Sequence, residues 1–192
     1  MTMAAFQFDF PSYPDSLVQR ARRVRLACFD VDGTLTDGRL IYDSDGRELK
    51  SFHAHDGQGM ALLRDVGVSI AMITARTSRV TELRAAELRV QAHTGVHNKL
   101  EVVLRICRQM GIGLEQVAFM GDDLADLIAL SAVGLSVAPA NAHRWTASQV
   151  HWKTTARGGD GAAREFCDLL LFAQGHAHTV LQRLGSVPAD DR

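Results

Sequence analysis

The sequence has no apolar run near the roughly 20 residues that a helix needs to cross a bilayer. It also has no excess of basic charge. Its 21 Lys and Arg against 22 Asp and Glu leave a net charge of −1 with histidine neutral, so the electrostatic footprint of a nucleic-acid binder is missing. Cysteine is scarce. Cys28, Cys107 and Cys167 are odd in number, far apart and form no C-x-x-C pair, which argues against a disulfide framework or a zinc knuckle. Reduced cysteines at apolar positions suit the cytosol. Residues 1–14 lack the charged-then-apolar order of a signal peptide. Internal repeats and low-complexity tracts are absent too. The expectation is a cytoplasmic protein without a nucleic-acid or membrane partner.

What is present is a regular alternation. The 192 residues suit one domain, 1–192, with a core over about 24–173, long enough to bury itself without staples. A helix is expected over 15–23 and an apolar strand over 24–29. Segments 40–42 and 49–52 flank Asp45-Gly46, a dipeptide that favours a tight turn. They predict a small β-hairpin over about 39–53. Helices are then expected at 59–66, 78–88, 98–110, 124–132, 141–148 and 160–173, and strands at 68–74, 90–93, 117–120, 135–138 and 150–152. The small, polar tail over 175–192 reads as loosely ordered. Strand–helix alternation implies an α/β, Rossmann-like parallel sheet flanked by helices. Ligands bind such sheets beyond the carboxyl ends of the strands. The positions there are Asp30, Thr74, the loop reaching Lys99, and Gly121-Asp122-Asp123.

The first strand runs into Asp30-Val31-Asp32-Gly33-Thr34. Residues i and i+2 of an extended segment point the same way, so two carboxylates are expected together. Like charges that close raise one pKa unless a cation neutralises them. Magnesium prefers hard oxygen ligands and often takes one or two carboxylates plus a substrate phosphate. Asp122 and Asp123 open a helix, where the macrodipole alone favours acidic residues. With Asp126 four residues past Asp122, the group exceeds what capping needs. Thr74 stands where an N-cap is wanted, but its hydroxyl and nearby N–H groups also suit phosphate, and Arg76 adds a planar cation. Lys99 follows Asn98 at a helix start. A transition-metal site at His53, His55, His93 and His97 is a lesser alternative.

These motifs, in this order, resemble the haloacid dehalogenase-like phosphatase superfamily. The likeness spans about 24–171. It implies Asp30 as nucleophile and Asp32 as the acid that protonates the leaving oxygen, then as base toward water. It implies Mg²⁺ held by Asp30, the Asp32 backbone carbonyl and Asp122, with Asp123 and Asp126 in support. Thr74 and Lys99 bind the transferring phosphoryl group, and Gly33 and Asn98 of the same motifs are expected to bind substrate. Only a hairpin and a helix separate Asp30 from Thr74, which resembles the capless subfamily. Asp37-Gly38, the hairpin, 55–59, 94–99 and 158–165 resemble 3-deoxy-D-manno-octulosonate 8-phosphate phosphatases in particular. That resemblance implies a phosphorylated sugar acid as substrate, His55, Asp56, Gly57 and Arg76 near its sugar-acid part, and a homotetramer with shared sites. In that family the hairpin mediates subunit contact and the glycine-rich segment near the C-terminus reaches toward a neighbour. The family often carries arginine where His55 and Ala61 stand here, and an aromatic at Gln58. Nine-carbon sugar-acid phosphatases, a receiver-like phosphoacceptor and a silent scaffold remain as alternatives.

Overall fold

The computed structural model describes residues 11–185. Most of the segment read for a leader, and residues 186–192 of the tail, lie outside these. The elements are α1 (Asp15–Arg22), β1 (Leu26–Phe29), β2 (Ile41–Tyr42), β3 (Glu48–Leu49), α2 (Ala54–Asp65), β4 (Ser69–Ile73), α3 (Arg79–Leu88), β5 (Gln91–His93) and α4 (Lys99–Met110). They continue as β6 (Val117–Met120), a 3₁₀ turn at Leu124–Asp126, α5 (Leu127–Ala132), β7 (Leu135–Ala138), α6 (Arg144–Ala147), β8 (Trp152–Lys153), α7 (Ala162–Ala173) and α8 (Ala177–Gly185). Six strands form a parallel sheet in the order β5-β4-β1-β6-β7-β8. The antiparallel pair β2–β3 stands apart from it. The expected α/β sheet with a small hairpin is therefore found.

The strands of this sheet read as unbroken apolar runs because both faces are covered. In β1, Ala27 and Phe29 face the layer of α1, α2 and α7, while Leu26 and Cys28 face α4 and α5. Phe29 meets Phe166 of α7 with ring centroids 5.5 Å apart. Helix α7 carries the densest core face, with Phe166, Cys167, Leu169 and Leu170 fully buried. Among the described residues no helix is long and apolar enough to cross a membrane.

Three expectations need correction. Helix α2 starts at Ala54, five residues before the expected start at 59. Gly57 falls before the expected helix and Gly59 at its first position, but both are packing devices inside the helix. A Cβ on Gly57 would lie 2.2 Å from Arg84 Nη2, and one on Gly59 would lie 3.0 Å from Cys167 Cβ of α7. Close helix approach outweighs glycine's poor helix propensity here. Second, the tail is not all loose: α8 covers its first part, and Val180 packs on the core. Third, the expected helix over 124–132 opens as a 3₁₀ turn, with Asp123 as its cap.

Candidate active site

Three strand ends build the site. Strand β1 lies between β4 and β6, with Phe29 level with Met72 on one side and Met120 on the other. The segments leaving all three therefore emerge together, at the switch point of the sheet. Asp30 closes β1, and its N–H still donates to the Met120 carbonyl (2.9 Å). The next residues turn tightly, with Thr34, Leu35 and Thr36 N–H groups converging on the Val31 carbonyl. Gly33 has φ +93°, and a Cβ there would fall 2.1 Å from Asp122 Oδ2. Only glycine lets the β1 loop and the β6 loop approach this closely.

Asp30, Asp122 and Asp126 each offer a carboxylate oxygen, and the three oxygens lie within 4.8 Å of one another. Asp30 and Asp126 are buried. Lys99, the first residue of α4, reaches in with Nζ 2.5 Å from both Asp30 Oδ1 and Asp126 Oδ1. Asn98 caps that helix by accepting from the Glu101 N–H, which fixes where Lys99 departs. Asp126 is held rigidly, because its Oδ2 accepts from the Asp122 and Asp123 N–H groups (3.1 and 3.3 Å). Thr34 Oγ1 donates to Asp122 Oδ1 (3.2 Å).

Burial pushes Asp30 well above the usual carboxylate range. Asp126 and Asp122 add to this, and Lys99 opposes it. Asp122 is pushed up to about 6 by burial and then by Asp126, against a hydrogen bond with Asp30. Burial alone would lower Lys99, but Asp30 and Asp126 outweigh it and the lysine pKa is raised. Three carboxylates face one ammonium, so negative charge is left over. Hard oxygen donors at this spacing, with that excess, suit a divalent cation such as magnesium.

Asp32 does not join this group. The chain leaves extended geometry after Phe29, so the expected shared direction of Asp30 and Asp32 ends in separate pairings. Asp32 Oδ1 pairs with Lys50 Nζ. Its Oδ2 lies 3.4 Å from Thr74 Oγ1 and 4.0 Å from Arg76 Nε. Lys50 and Glu48 come from the hairpin, and sequence reasoning missed both. Glu48 accepts from Lys50 (3.2 Å), Arg76 Nη2 (3.1 Å) and Ser78 Oγ (2.6 Å). Tyr42, also of the hairpin, accepts from Arg76 Nη2 (2.8 Å). The missed signal was alternation: Glu48 and Lys50 sit two apart, either side of exposed Leu49.

The remaining expected site residues are placed as follows. Gly33 and Arg76 adjoin the carboxylates, and Asn98 acts through the α4 cap. Asp123 is exposed and caps the Leu124 N–H (2.8 Å). His55 is exposed near the start of α2, its ring edge-on to His53 at 5.0 Å. Asp56 is buried, and its Oδ1 accepts from the Arg164 N–H at the start of α7 (2.7 Å). Asp56 and Gly57 therefore serve helix packing, and neither bonds to the carboxylate group. Among the described residues no histidine belongs to a cluster of three metal-ligating side chains. The glycine-rich segment packs against its own chain: Gly159 N–H donates to the Thr34 carbonyl (3.1 Å), and a Cβ on Gly158 would fall 1.8 Å from the Gly33 carbonyl oxygen.

Comparison with known proteins agrees with this arrangement. The profile of haloacid dehalogenase-like hydrolases matches residues 92–166. A 3-deoxy-D-manno-octulosonate 8-phosphate phosphatase, KdsC, from Yersinia pestis is 40% identical over 161 residues, covering 83% of this chain and 86% of that protein. The chain belongs to this family of haloacid dehalogenase-like phosphatases. The crystal structure of a hypothetical protein from Xanthomonas campestris superposes with a TM-score of 0.89 at 55% identity, covering 90% of this chain and 95% of that one. The Moraxella catarrhalis 3-deoxy-D-manno-octulosonate 8-phosphate phosphatase, solved with magnesium, phosphate and KDO, has a TM-score of 0.87 at 35% identity, covering 90% and 99%. The phosphatase family thus accounts for both the sheet and the acidic site at its edge.

Proposed function

We propose that this chain is a magnesium-dependent phosphomonoesterase that removes phosphate from 3-deoxy-D-manno-octulosonate 8-phosphate, in the cytoplasm and as a homotetramer. The observation that carries the reading is the buried Asp30 carboxylate, at a strand exit beside Asp122, Asp126 and Lys99. The substrate rests on likeness to the Moraxella enzyme solved with KDO and phosphate.

An Asp30 oxygen forms a bond to phosphorus as the bond to the sugar oxygen breaks. The leaving oxygen keeps that electron pair and takes a proton from Asp32. Water then attacks the aspartyl-phosphate, giving a proton to Asp32, and the Asp30 carboxylate is released with inorganic phosphate. A covalent step of this kind splits one hard displacement into two easier ones. Thr74 and Lys99 hold the phosphoryl oxygens. Asp30, the Asp32 backbone carbonyl and Asp122 would hold magnesium, with Asp123 and Asp126 in support, and the ion would supply charge neutralisation for the transferring group. Monoester hydrolysis asks for accelerations up to ~10²¹, and one acid–base group gives about 10²–10⁴. Positioning and charge neutralisation carry much of the remainder.

The homotetramer rests on the hairpin. Leu40, Ile41, Tyr42 and Leu49 are about half exposed there, and exposed apolar side chains grouped on one hairpin are of the kind that an interface covers. Free buried cysteines suit a reducing compartment.

The test is phosphate release with and without magnesium, from a panel of eight- and nine-carbon sugar-acid phosphates. The eight-carbon ester is expected to give the highest kcat/KM. Asp30→Asn is expected to abolish turnover while the chain still folds. Unimpaired turnover by that variant rules out the nucleophile, and a nine-carbon preference overturns the substrate.

A further inference from the structure

Lys50 is a buried cation without a role in the reaction described so far. Its side chain is 2% exposed, and a lysine this buried needs carboxylate partners. It has two, Asp32 and Glu48. We propose that Lys50 is a positioning residue, holding the Asp32 carboxyl in the orientation that delivers a proton to the leaving oxygen, and that Glu48 anchors Lys50 for that task. The inference rests on the phosphatase reading and extends it to the hairpin.

The argument starts from how Asp32 is held. Asp126 is fixed by backbone N–H groups. Asp32 has no such support: its partners among the described residues are the side chains of Lys50, Thr74 and Arg76. Thr74 turns its hydroxyl to the phosphoryl group once substrate enters, and Arg76 is already committed to Glu48 and Tyr42. Lys50 is then the partner left on Asp32. It holds Oδ1 and leaves Oδ2 on the side of Thr74, where the phosphoryl group sits. Glu48 fixes Lys50 in turn, since one of its oxygens takes Lys50 and Arg76 while the other takes Ser78 at the cap of α3. The hairpin is thereby latched to the sheet edge at the point where it touches the acid.

The chemistry offers a readout that simple structural damage cannot mimic. When the ester oxygen of an alkyl phosphate departs, it needs the Asp32 proton. The oxygen of 4-nitrophenyl phosphate departs as a stable phenolate and does not. The ratio of kcat/KM for 3-deoxy-D-manno-octulosonate 8-phosphate to that for 4-nitrophenyl phosphate isolates proton delivery, because a reduced fraction of active protein scales both values alike. Lys50→Met is expected to lower that ratio by about 10²-fold, the scale of a misplaced catalytic group. Glu48→Gln, which keeps Lys50 but loosens its anchor, is expected to lower it less. An unchanged ratio in Lys50→Met, whether both activities fall or neither does, overturns the role of Lys50. An unchanged ratio in Glu48→Gln overturns the anchor. Magnesium-dependent turnover of the aryl ester by the unmodified chain tests the phosphatase reading separately, and its failure defeats both.

Discussion

Asp122 is held at a thermodynamic disadvantage, and that disadvantage is measurable. Its folded-state pKa is pushed from 3.8 to about 6, by burial first and Asp126 second. A carboxyl with a raised pKa binds its proton more tightly in the folded chain than in the unfolded one. Its contribution to stability is fully present below the unfolded value and is lost as pH rises through the folded value. The displacement corresponds to about 3 kcal/mol, and screening of its partly exposed side brings the expectation to about 1–3 kcal/mol. Asp122→Asn removes the charge and keeps an oxygen for Thr34. Without metal at about pH 7.5, this variant is expected to melt about 3–10 °C above the unmodified chain, on the usual scale for this length. At about pH 3, below the unfolded value, the difference should largely vanish, because Asp122 is then mostly protonated in both states. Magnesium should raise the melting temperature of the unmodified chain at the higher pH and barely move that of the variant. Differential scanning calorimetry in chelator, then in magnesium, reads all of these. A variant that melts lower at neutral pH, or that gains as much from magnesium as the unmodified chain, would refute the account of a crowded carboxylate site relieved by a cation.

Two further outcomes follow from packing. Gly158→Ala places a Cβ 1.8 Å from the Gly33 carbonyl oxygen, and both partners are backbone; the expected loss is about 1–3 kcal/mol by urea denaturation, and an unchanged midpoint would contradict the close approach of these two loops. Ile41 and Leu49 face each other across the hairpin and are exposed together, so the double variant Ile41→Asp, Leu49→Asp is expected to give a smaller assembly than the proposed tetramer in light scattering, and an unaltered mass would remove the hairpin from any interface.

The sheet and most of the site were legible because they depend on short-range pattern. Apolar runs ending in Asp30, Thr74 and the 121–123 segment mark strand exits, and a parallel sheet sends every such exit to one edge. The pairing of Asp32 was not legible, since it depends on a chain reversal at Gly33 and on a lysine delivered from outside the sheet. The early start of α2 was hidden for a different reason. Glycine signals a loop in isolation, but Gly57 and Gly59 answer to Arg84 and to α7, neighbours far along the chain. Asp56 was expected near the sugar acid from resemblance alone, and nothing nearby in sequence announces that its Oδ1 accepts from the Arg164 N–H.

The site also explains why β1 has to be the central strand. Asp30 is useful only if groups from β4 and β6 arrive at its level, and both registers are set by one strand of four residues, with Phe29 level with Met72 and with Met120. A slip of one residue in either pairing would turn alternate side chains to the opposite face of the sheet. It would also carry Thr74 or Asp122 away from Asp30 by a strand step of about 3.3 Å. Phe29 on Phe166, with Leu26 and Cys28 buried on the other face, makes such a slip unfavourable. The core that stabilises the fold is therefore what sets the spacing of the carboxylates. A cavity at Phe166, on α7 and away from the acids, should loosen the site through β1 and not through any contact with substrate.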